Sequence, residues 1–445
     1  MNRGAAQAWV IGLGTAVVPL DTSVNIAFPA ITRGFGLATA DIQWVVICYV
    51  LTYTALTLAL GRIGDIYGHA RVFRAGLIWS TVALALCALA PSFATLLVAR
   101  FLQGIGAAFV LSCGPALATA AYGEARRSRA LGFYIMMFGV GSTLGPWIGG
   151  ALVQEWDWPA VFAFRVPVAA LALLLSRGLP APQSGAREPF DFLGAVLLAA
   201  ALTAMLLTFN RLGDLAAIPL ALTALAAFVA FFRHEARSPN PIIDPSVFRL
   251  PGFALLNLSN VLINLAGFSV WLLVPFYLTR ATNLPLALSG AVLATGSLGM
   301  AVASPIAGRL AGRVSSVHLA LAGAVLAGLG LLLIATWGRG TPAARLVATL
   351  FLQGAGVGVF QLAYTDIVTA TIPPQHRGVA GSLAMVTRTV GTVSAAALVM
   401  LMFAQLEAGS GFLPAFRETF VLAGLVPLVI AGLLGTNLVI TRESG

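Results

Sequence analysis

Long apolar stretches, broken only by short turns that carry arginine, dominate this chain of 445 residues. Hydrophobic residues make up 59% of it and charged residues only 9%, whereas roughly a quarter of the residues are charged in an ordinary soluble domain. A helix needs about 20 apolar residues to cross the hydrocarbon core of a bilayer. Because a helix also satisfies its own backbone hydrogen bonds, the pattern predicts an all-α integral membrane protein that crosses the bilayer many times.

The apolar stretches and the turn signals between them predict about fourteen transmembrane helices. The first stretch follows only Arg3 and carries Asp21 near its middle, so we interpret it as a retained helix and not as a cleaved signal. The predicted spans are 7–31, 41–60, 72–90, 94–121, 128–153, 159–176, 192–209, 215–232, 252–278, 286–307, 317–336, 343–371, 379–404 and 415–440.

Two segments of the chain repeat each other. The sequence FLQGIG at Phe101–Gly106 returns as FLQGAG at Phe351–Gly356, which indicates two structural copies that run in the same direction. Such copies are related by an axis along the membrane normal, with a substrate site between them. The helices at 192–209 and 215–232 have no counterpart in this pairing, so we interpret them as an inserted hairpin. The predicted domains are an N-terminal six-helix bundle at 1–178, a linker with the inserted transmembrane hairpin at 179–250, and a C-terminal six-helix bundle at 251–445.

The charged and metal-binding residue types exclude several classes of function. The formal net charge is +10 and every basic side chain is an arginine, but the arginines recur in short turns and form no block that would bind nucleic acid. With the N-terminus inside, their distribution predicts that both termini lie in the cytoplasm, and we expect the chain in the inner (cytoplasmic) membrane. The cysteines and histidines lack metal-ligand spacing, so we expect no metal, cofactor or disulfide. The absence of a nucleophile and base argues against an enzyme, and the absence of a soluble regulatory domain disfavours a non-transporting sensor.

A charged, glycine-rich turn at Gly61–Arg71 separates two of the apolar stretches. Gly61 and Gly68 let two helix ends approach closely, and Arg71 is expected at the headgroups. Asp65 can meet the positive N-terminal end of a neighbouring helix. The turn is therefore predicted to be a hinge at the membrane surface that takes part in gating.

This turn resembles the signature loop between the second and third helices of the major facilitator superfamily of transporters. LDTSVNIAFP at Leu20–Pro29 is similar to the first-helix motif of the larger drug/proton antiporter branch of that family. LVARFLQG at Leu97–Gly104 is similar to the family's fourth-helix arginine motif. The resemblance implies the major facilitator fold, here with two six-helix bundles and an inserted two-helix hairpin.

Glycines of the fifth predicted helix extend the resemblance. Gly139–Gly141 and Gly145–Gly150 are similar to the motif that marks exchangers within the family. The resemblance therefore implies antiport, with Gly145 and Pro146 in gating. Close helix packing explains these glycines equally well, and both roles can hold together.

Asp21 lies near the bilayer centre in the first predicted helix, where an ionised carboxylate is costly. It is a candidate proton carrier, and the alternative is a neutral acid that donates one interhelical hydrogen bond. Arg100 lies about 9 Å and Asp21 about 15 Å from the outer ends of their helices, so the two can pair and Arg100 can tune proton loading. Alternatively, Arg100 fixes helix ends through backbone carbonyls. Leu350 replaces Arg100 in the second repeat, so folding of a bundle does not itself require the arginine.

Arg165 departs from the family pattern. It stands where the family commonly has asparagine, in the stretch WPAVFAFRVP at Trp158–Pro167. The family places this helix at the periphery, and Arg165 lies about 10 Å from its outer end. We expect the side chain to snorkel towards Glu155 or Asp157.

Asp366 and Arg388 lie on consecutive predicted helices, at about 8 and 14 Å from the inner face, and can form an ion pair. Phe138 takes the place of Arg388 in the first repeat. The pair can serve substrate binding, gating or only the joining of two helices, and the sequence leaves these roles open.

A stripe of polar residues runs along one face of the ninth predicted helix. Asn257, Asn260 and Asn264 share a helix face, with Trp271 further along it. Such amides can join helices, but the resemblance implies that this helix lines a central cavity, so we predict substrate contact. The predicted cavity residues are Asn25, Gln103, Asn257, Asn260, Asn264, Trp271, Gln361, Tyr364, Asp366 and Arg388, with Gln353 as a further candidate.

The resemblance and these residues predict a proton-coupled transporter that exports small amphipathic compounds of the multidrug type by alternating access. The alternative is a dedicated exporter of one endogenous, anionic metabolite, because Arg100, Arg165 and Arg388 outnumber Asp21 and Asp366 in the apolar segments. The expected partners are a small-molecule substrate, protons and the lipid bilayer, and we expect the chain to act as a monomer.

Overall fold

The computed structural model describes residues 3–37, 43–179, 190–211, 215–239, 241–242, 248–250, 252–282, 284, 286–373 and 377–443. Over these ranges the regular structure is helical, without a β-strand. The helices are α1 Arg3–Ala16, α2 Ser23–Phe35, α3 Gln43–Tyr67, α4 His69–Ala88, α5 Phe93–Tyr122, α6 Arg127–Trp156, α7 Ala160–Ala163, α8 Arg165–Leu175, α9 Phe192–Asn210, α10 Ala217–Glu235, α11 Phe253–Ala281, α12 Leu286–Leu310, α13 Ser316–Ala335, α14 Ala343–Thr371, α15 Arg377–Ser410 and α16 Phe412–Glu443.

Twelve helical segments of the described chain are long and apolar enough to cross a membrane. The first of them, Gln7–Phe28, contains α1, a 3-10 turn at Pro19–Thr22 and most of α2. The predicted count of fourteen is not supported by the residues that the structure describes. In α9 the described apolar segment is Phe192–Met205, which is shorter than the roughly 20 residues that a span requires, and α15 is not among the twelve.

The turn predicted at Gly61–Arg71 is much shorter in the structure. Helix α3 continues to Tyr67 and α4 begins at His69, so Gly68 alone separates them. Its backbone φ angle of 94° is one that residues other than glycine rarely adopt. Most of the predicted hinge is therefore helix. The sequence suggests a longer turn because glycines inside a helix resemble turn signals.

The chain divides into two compact units. Helix α15 is split between them after Val386. The predicted domain limits at 178 and 251 stay predictions. Unit 1 comprises Met1–Ala204, Leu222–Asp244 and Ile372–Val386, and unit 2 comprises Met205–Ala221, Pro245–Thr371 and Thr387–Gly445.

The repeated FLQG segments have the same packing role in their two units. In unit 1, Gly106 of α5 lies against Ser80 of α4, where an added Cβ would stand 2.5 Å from the Ser80 Oγ. In unit 2, Gly356 of α14 lies against Ala327 of α13, where an added Cβ would stand 2.2 Å from the Ala327 backbone nitrogen. Each glycine lets its helix approach a neighbour more closely than any side chain allows.

Candidate functional site

The first candidate site is in unit 1, at the 3-10 turn that carries Asp21. Pro19 has no N–H to continue the α-helical hydrogen bonds of α1, and Val18 N–H bonds to the Thr15 oxygen at 3.1 Å. Asp21 N–H then donates to the Val18 oxygen at 3.0 Å. Pro19 therefore causes a local break in the helix, and this break determines the position of the Asp21 carboxylate.

Arg100 of α5 pairs with Asp21 through both prongs of its guanidinium group. Arg100 Nη1 lies 2.7 Å from Asp21 Oδ1, and Nη2 lies 2.8 Å from Oδ2. The third nitrogen, Nε, donates to the Val45 oxygen of α3 at 2.7 Å. Arg100 is fully buried, so the pairing that the sequence makes possible is present, in the bidentate geometry that is strongest for this type of ion pair.

Arg165 also binds Asp21, and the prediction that it snorkels towards Glu155 or Asp157 is wrong. Its Nη1 lies 2.6 Å from Asp21 Oδ1, and its Nη2 donates to the Val17 oxygen at 2.9 Å. The side chain is only 1% exposed. Position along a helix gives the depth of a residue but not the direction in which it faces, and Arg165 faces the turn at Pro19–Thr22.

Two further side chains complete this site. The Gln103 amide donates to Asp21 Oδ1 at 3.1 Å and accepts from Arg100 Nη1 at 2.7 Å. The Tyr49 ring lies 4.4 Å from the Arg100 guanidinium carbon, a cation–π contact. We call this group the charged cluster, and it consists of Asp21, Tyr49, Arg100, Gln103 and Arg165.

Unit 2 holds a second polar group, without charged side chains. Tyr364 donates from its hydroxyl to Asn257 Oδ1 at 2.8 Å. The Asn260 amide donates to Thr387 Oγ1 at 2.8 Å, and the Asn264 amide donates to Asn260 Oδ1 at 2.9 Å and to Gln361 Oε1 at 3.4 Å. These hydrogen bonds join α11, α14 and α15, which is the helix-joining alternative of the sequence analysis. We call this group the amide cluster, and it consists of Asn257, Asn260, Asn264, Gln361, Tyr364 and Thr387.

The remaining predicted cavity residues occupy varied positions. Asn25 is exposed and Trp271 is partly exposed. Asp366 is buried and accepts a hydrogen bond from the Ser316 hydroxyl, whereas Arg388 is partly buried. An ion pair between Asp366 and Arg388 stays a prediction.

Asp65 meets the beginning of a helix within unit 1, as the sequence predicts. The Val379 N–H, in the first turn of α15, donates to Asp65 Oδ2 at 3.4 Å. The first N–H groups of a helix have no partner inside it and attract negative charge. His69 lies one helical turn beyond Asp65, with its Nε2 3.3 Å from Asp65 Oδ1. Gly61 and Gly68 are buried at this end and Arg71 is exposed; their gating roles stay predictions.

The fifth-helix motif, on α6, lies against the turn that carries Asp21. A Cβ added to Gly145 would stand 2.1 Å from Thr22 Oγ1, and Pro146 follows inside α6. The glycine therefore allows the close packing that holds Asp21 in place. This position agrees with the packing alternative and leaves a gating role for Gly145 and Pro146 as a prediction.

Sequence reasoning missed Tyr49 and His69, and it missed the contact of Arg165. His69 had a signal, because it lies four residues after Asp65 on what proves to be a helical end, a spacing at which side chains meet. Tyr49 had none, since an aromatic residue in an apolar stretch is unremarkable. Over the described residues, no three side chains of His, Cys, Asp or Glu come together as metal ligands would.

Comparison with known proteins gives a consistent family. The model of the Major Facilitator Superfamily matches residues 11–242 and 256–443. The chain is 29% identical over 406 residues to the riboflavin transporter RibZ of Clostridioides difficile, over 90% of this chain and 89% of that protein. It is 30% identical over 418 residues to the multidrug resistance protein Stp of Mycobacterium tuberculosis, over 92% of this chain and 78% of that protein.

A solved structure shows the same fold. The human organic anion transporter MFSD10 matches with a TM-score of 0.70 at 19% identity, over 98% of this chain and 100% of that chain. At this identity the likeness concerns the fold and not the substrate.

Proposed function

The chain belongs to the major facilitator superfamily, and from that premise we propose that it is a proton-coupled exporter of small amphipathic compounds. It is a membrane transporter and not an enzyme. The observation that carries the proposal is Asp21, an acidic side chain held in the charged cluster inside a membrane-spanning segment. An acid in such a segment is a functional site by default.

In this proposal Asp21 exchanges the proton and Arg100 tunes the exchange. When Asp21 is ionised, both arginines bind it and the cluster is closed. Protonation removes the charge of the carboxylate and turns two ion pairs into weaker hydrogen bonds. The arginines are then released to other partners, which links the proton to a change in the shape of unit 1 and so to alternating access.

The multidrug type of substrate is supported by the name of one relative, the multidrug resistance protein Stp. The second candidate is a dedicated exporter of one endogenous, anionic metabolite. The specific observation in its favour is the ratio of two buried arginines to one carboxylate in the charged cluster. The name of the riboflavin transporter RibZ also fits a single substrate.

The layout in the membrane belongs to the same proposal. In this layout α9 and α10 form an inserted hairpin, both termini lie in the cytoplasm and the chain acts as a monomer in the inner membrane. Asp65 would stabilise one conformation by its contact with the first turn of α15. The arginine-rich turns support this orientation.

Proton flux in proteoliposomes tests the proposed function. The purified protein is reconstituted with a pH-sensitive dye inside the vesicles, and riboflavin, rhodamine 6G and 2-naphthoate are added as neutral, cationic and anionic probes. A proton-coupled exporter moves protons when at least one probe is present, in proportion to the amount of protein. Probe transport that is indifferent to the pH gradient, across the whole panel, would refute proton coupling.

A further inference from the structure

The charged cluster lacks one negative charge. Arg100 and Arg165 are 0% and 1% exposed, and both bind the same carboxylate, Asp21. Over the described residues no other acidic side chain pairs with either arginine. Two cations and one anion leave a net charge of one positive unit. A buried charge without a counter-ion is costly, so the cluster is ready to accept an anion.

The unused hydrogen-bonding capacity lies on Arg165 and Tyr49. Arg100 uses all three of its nitrogens, on Asp21, Gln103 and the Val45 oxygen. Arg165 uses Nη1 and Nη2, but its buried Nε has no hydrogen-bond partner. The buried hydroxyl of Tyr49 has none either. Buried donors are nearly always paired, and these two stand in the same cluster that lacks a negative charge.

We propose that Arg165 binds the anionic group of the transported compound, so that the substrates are amphipathic organic anions such as aromatic carboxylates. The proposal rests on the proposed function and narrows its substrate class. A guanidinium group presents its N–H donors in a planar fork that matches a carboxylate. The way in is the edge where Asp21 lies, because that side chain keeps 14% exposure while both arginines are covered.

The charge count also decides how the anion relates to the proton. Protonation of Asp21 adds a positive charge to the cluster and anion binding removes one, so each event favours the other, and the coupling is reciprocal. The anion therefore does not compete with the proton for one carboxylate. Exchange of an anion for a proton then requires that the protein changes conformation with either the anion or the proton bound, but not with both. A cationic compound, in contrast, is repelled by both arginines.

A matched set of probes tests this binding without any gradient. The full-length protein in detergent is titrated with 2-naphthoate, 2-naphthamide and 2-naphthylmethylammonium, which share a ring system and differ in charge. We expect 2-naphthoate to bind about tenfold more tightly than the amide, or better, because hydrogen bonds to charged groups are the stronger ones. Arg165→Gln should remove that advantage and leave the affinity for the amide unchanged.

Two further variants keep the test decisive. Arg280→Gln is the matched control: it removes one positive charge at an arginine that is 54% exposed and pairs with Glu407, and it should leave the affinity for 2-naphthoate unchanged. Asp21→Asn raises the net charge of the cluster, so it should bind 2-naphthoate more tightly, and it decides the matter if Arg165→Gln does not fold. Equal affinities for the three probes in the wild type, or a 2-naphthoate affinity indifferent to both cluster variants, would overturn the proposal.

A chloride arm separates an organic from an inorganic anion. Protein prepared in gluconate buffer is titrated with chloride alone and then with 2-naphthoate. Chloride that binds through Arg165, together with 2-naphthoate no tighter than its amide, shows a site for inorganic anions and overturns the substrate assignment. If 2-naphthoate binds in an Arg165-dependent way but no proton flux is seen in vesicles, the proposed function is refuted and the anion site is kept. If rhodamine 6G is exported in a proton-driven way and the protein shows no preference for anions, the proposed function is kept and the anion site is refuted.

Discussion

Helices α5 and α14 carry the same FLQG segment, but the residue three positions before its glutamine differs in chemistry. In unit 1 this residue is Arg100, buried among the polar groups of the charged cluster. In unit 2 it is Leu350, buried in an apolar core with Tyr277 and Phe416. Because both helices pack closely on their neighbours, the arginine is not needed to fold a unit of this kind. The buried charge of Arg100 in unit 1 is therefore not a requirement of folding, and we expect it to have a functional role.

The two polar clusters differ in the same way. In unit 2 the members of the amide cluster are neutral, and they spend their hydrogen bonds on one another across three helices. In unit 1 the charged cluster keeps a surplus positive charge and two buried donors without partners. A satisfied neutral network stabilises a single arrangement, whereas an unbalanced charged one responds to ions. We therefore expect ion chemistry in unit 1 and interhelical bonding in unit 2.

Asp21→Asn removes the only carboxylate of the charged cluster, and with it the chemical difference between the two polar clusters. We expect proton-driven transport to be abolished, since an amide accepts hydrogen bonds but cannot exchange a proton. Transport is measured in proteoliposomes under an imposed pH gradient. Asp191→Asn is the control, because it removes a carboxylate outside the cluster and should transport normally. Full gradient-driven transport by Asp21→Asn would remove Asp21 from proton coupling.

Arg100 and Leu350 occupy matching positions in the two repeats, so exchanging their side chains tests whether each unit tolerates the other's residue. Leu350→Arg puts an unpaired cation into the apolar core of unit 2 and should cost about 3–5 kcal/mol, so we expect little folded protein after purification. Arg100→Leu leaves Asp21 paired with Arg165 and should remain folded while proton coupling is lost. Thermal unfolding of the two variants is the measurement. If Leu350→Arg were as stable as the wild type, unit 2 would have a site for charge that the comparison denies.

Tyr364→Phe tests whether the amide cluster is structural. The substitution removes the hydroxyl that donates to Asn257 and contacts Thr387, and a buried group left without its partner costs about 1–3 kcal/mol. We expect a lower unfolding temperature and an unchanged ratio of affinities for 2-naphthoate and 2-naphthamide. A changed ratio, with stability intact, would place substrate contact in unit 2 as the sequence predicts.

Asp65→Asn concerns the end of unit 1 away from ion chemistry. The variant weakens the contact with the first turn of α15, and a charge at a helix end contributes about 0.3–1 kcal/mol. Turnover should therefore slow by a few-fold while probe affinity is kept. Asp65→Glu retains the charge and should recover most of the rate. Equal turnover in all three proteins would make Asp65 a structural residue only.

The sequence predicts the helices and the partners of Asp21 only in part, for physical reasons. Apolar length predicts the spans, and matching depth predicts the pairing of Asp21 with Arg100. The contact of Arg165 with Asp21 is not predicted, because the depth of a residue along a helix does not show which neighbouring helix its side chain faces. The length of the turn before His69 escapes it because glycine is tolerated inside a helix that is held by its neighbours.

One carboxylate of unit 1, that of Asp191, lies outside the charged cluster. Asp191 accepts hydrogen bonds from the Gly194 N–H at 2.8 Å, the Ser238 hydroxyl at 2.8 Å and His234 Nε2 at 2.8 Å, and so ties α9 to α10. Burial alone would raise the pKa of Asp191, but these hydrogen bonds outweigh it and hold the pKa below its usual value.

A lowered pKa in the folded state means that Asp191 stabilises the fold above its unfolded pKa and that this contribution is lost as pH falls through the folded value. Asp191→Asn should therefore lower the unfolding temperature by a few degrees at pH 7 and by less as the pH approaches 3, with normal transport at neutral pH. Thermal unfolding of both proteins from pH 3 to pH 8 measures this. A difference that grows towards acid pH would contradict the sign, and a transport defect would mean that ion chemistry in unit 1 is not confined to the charged cluster.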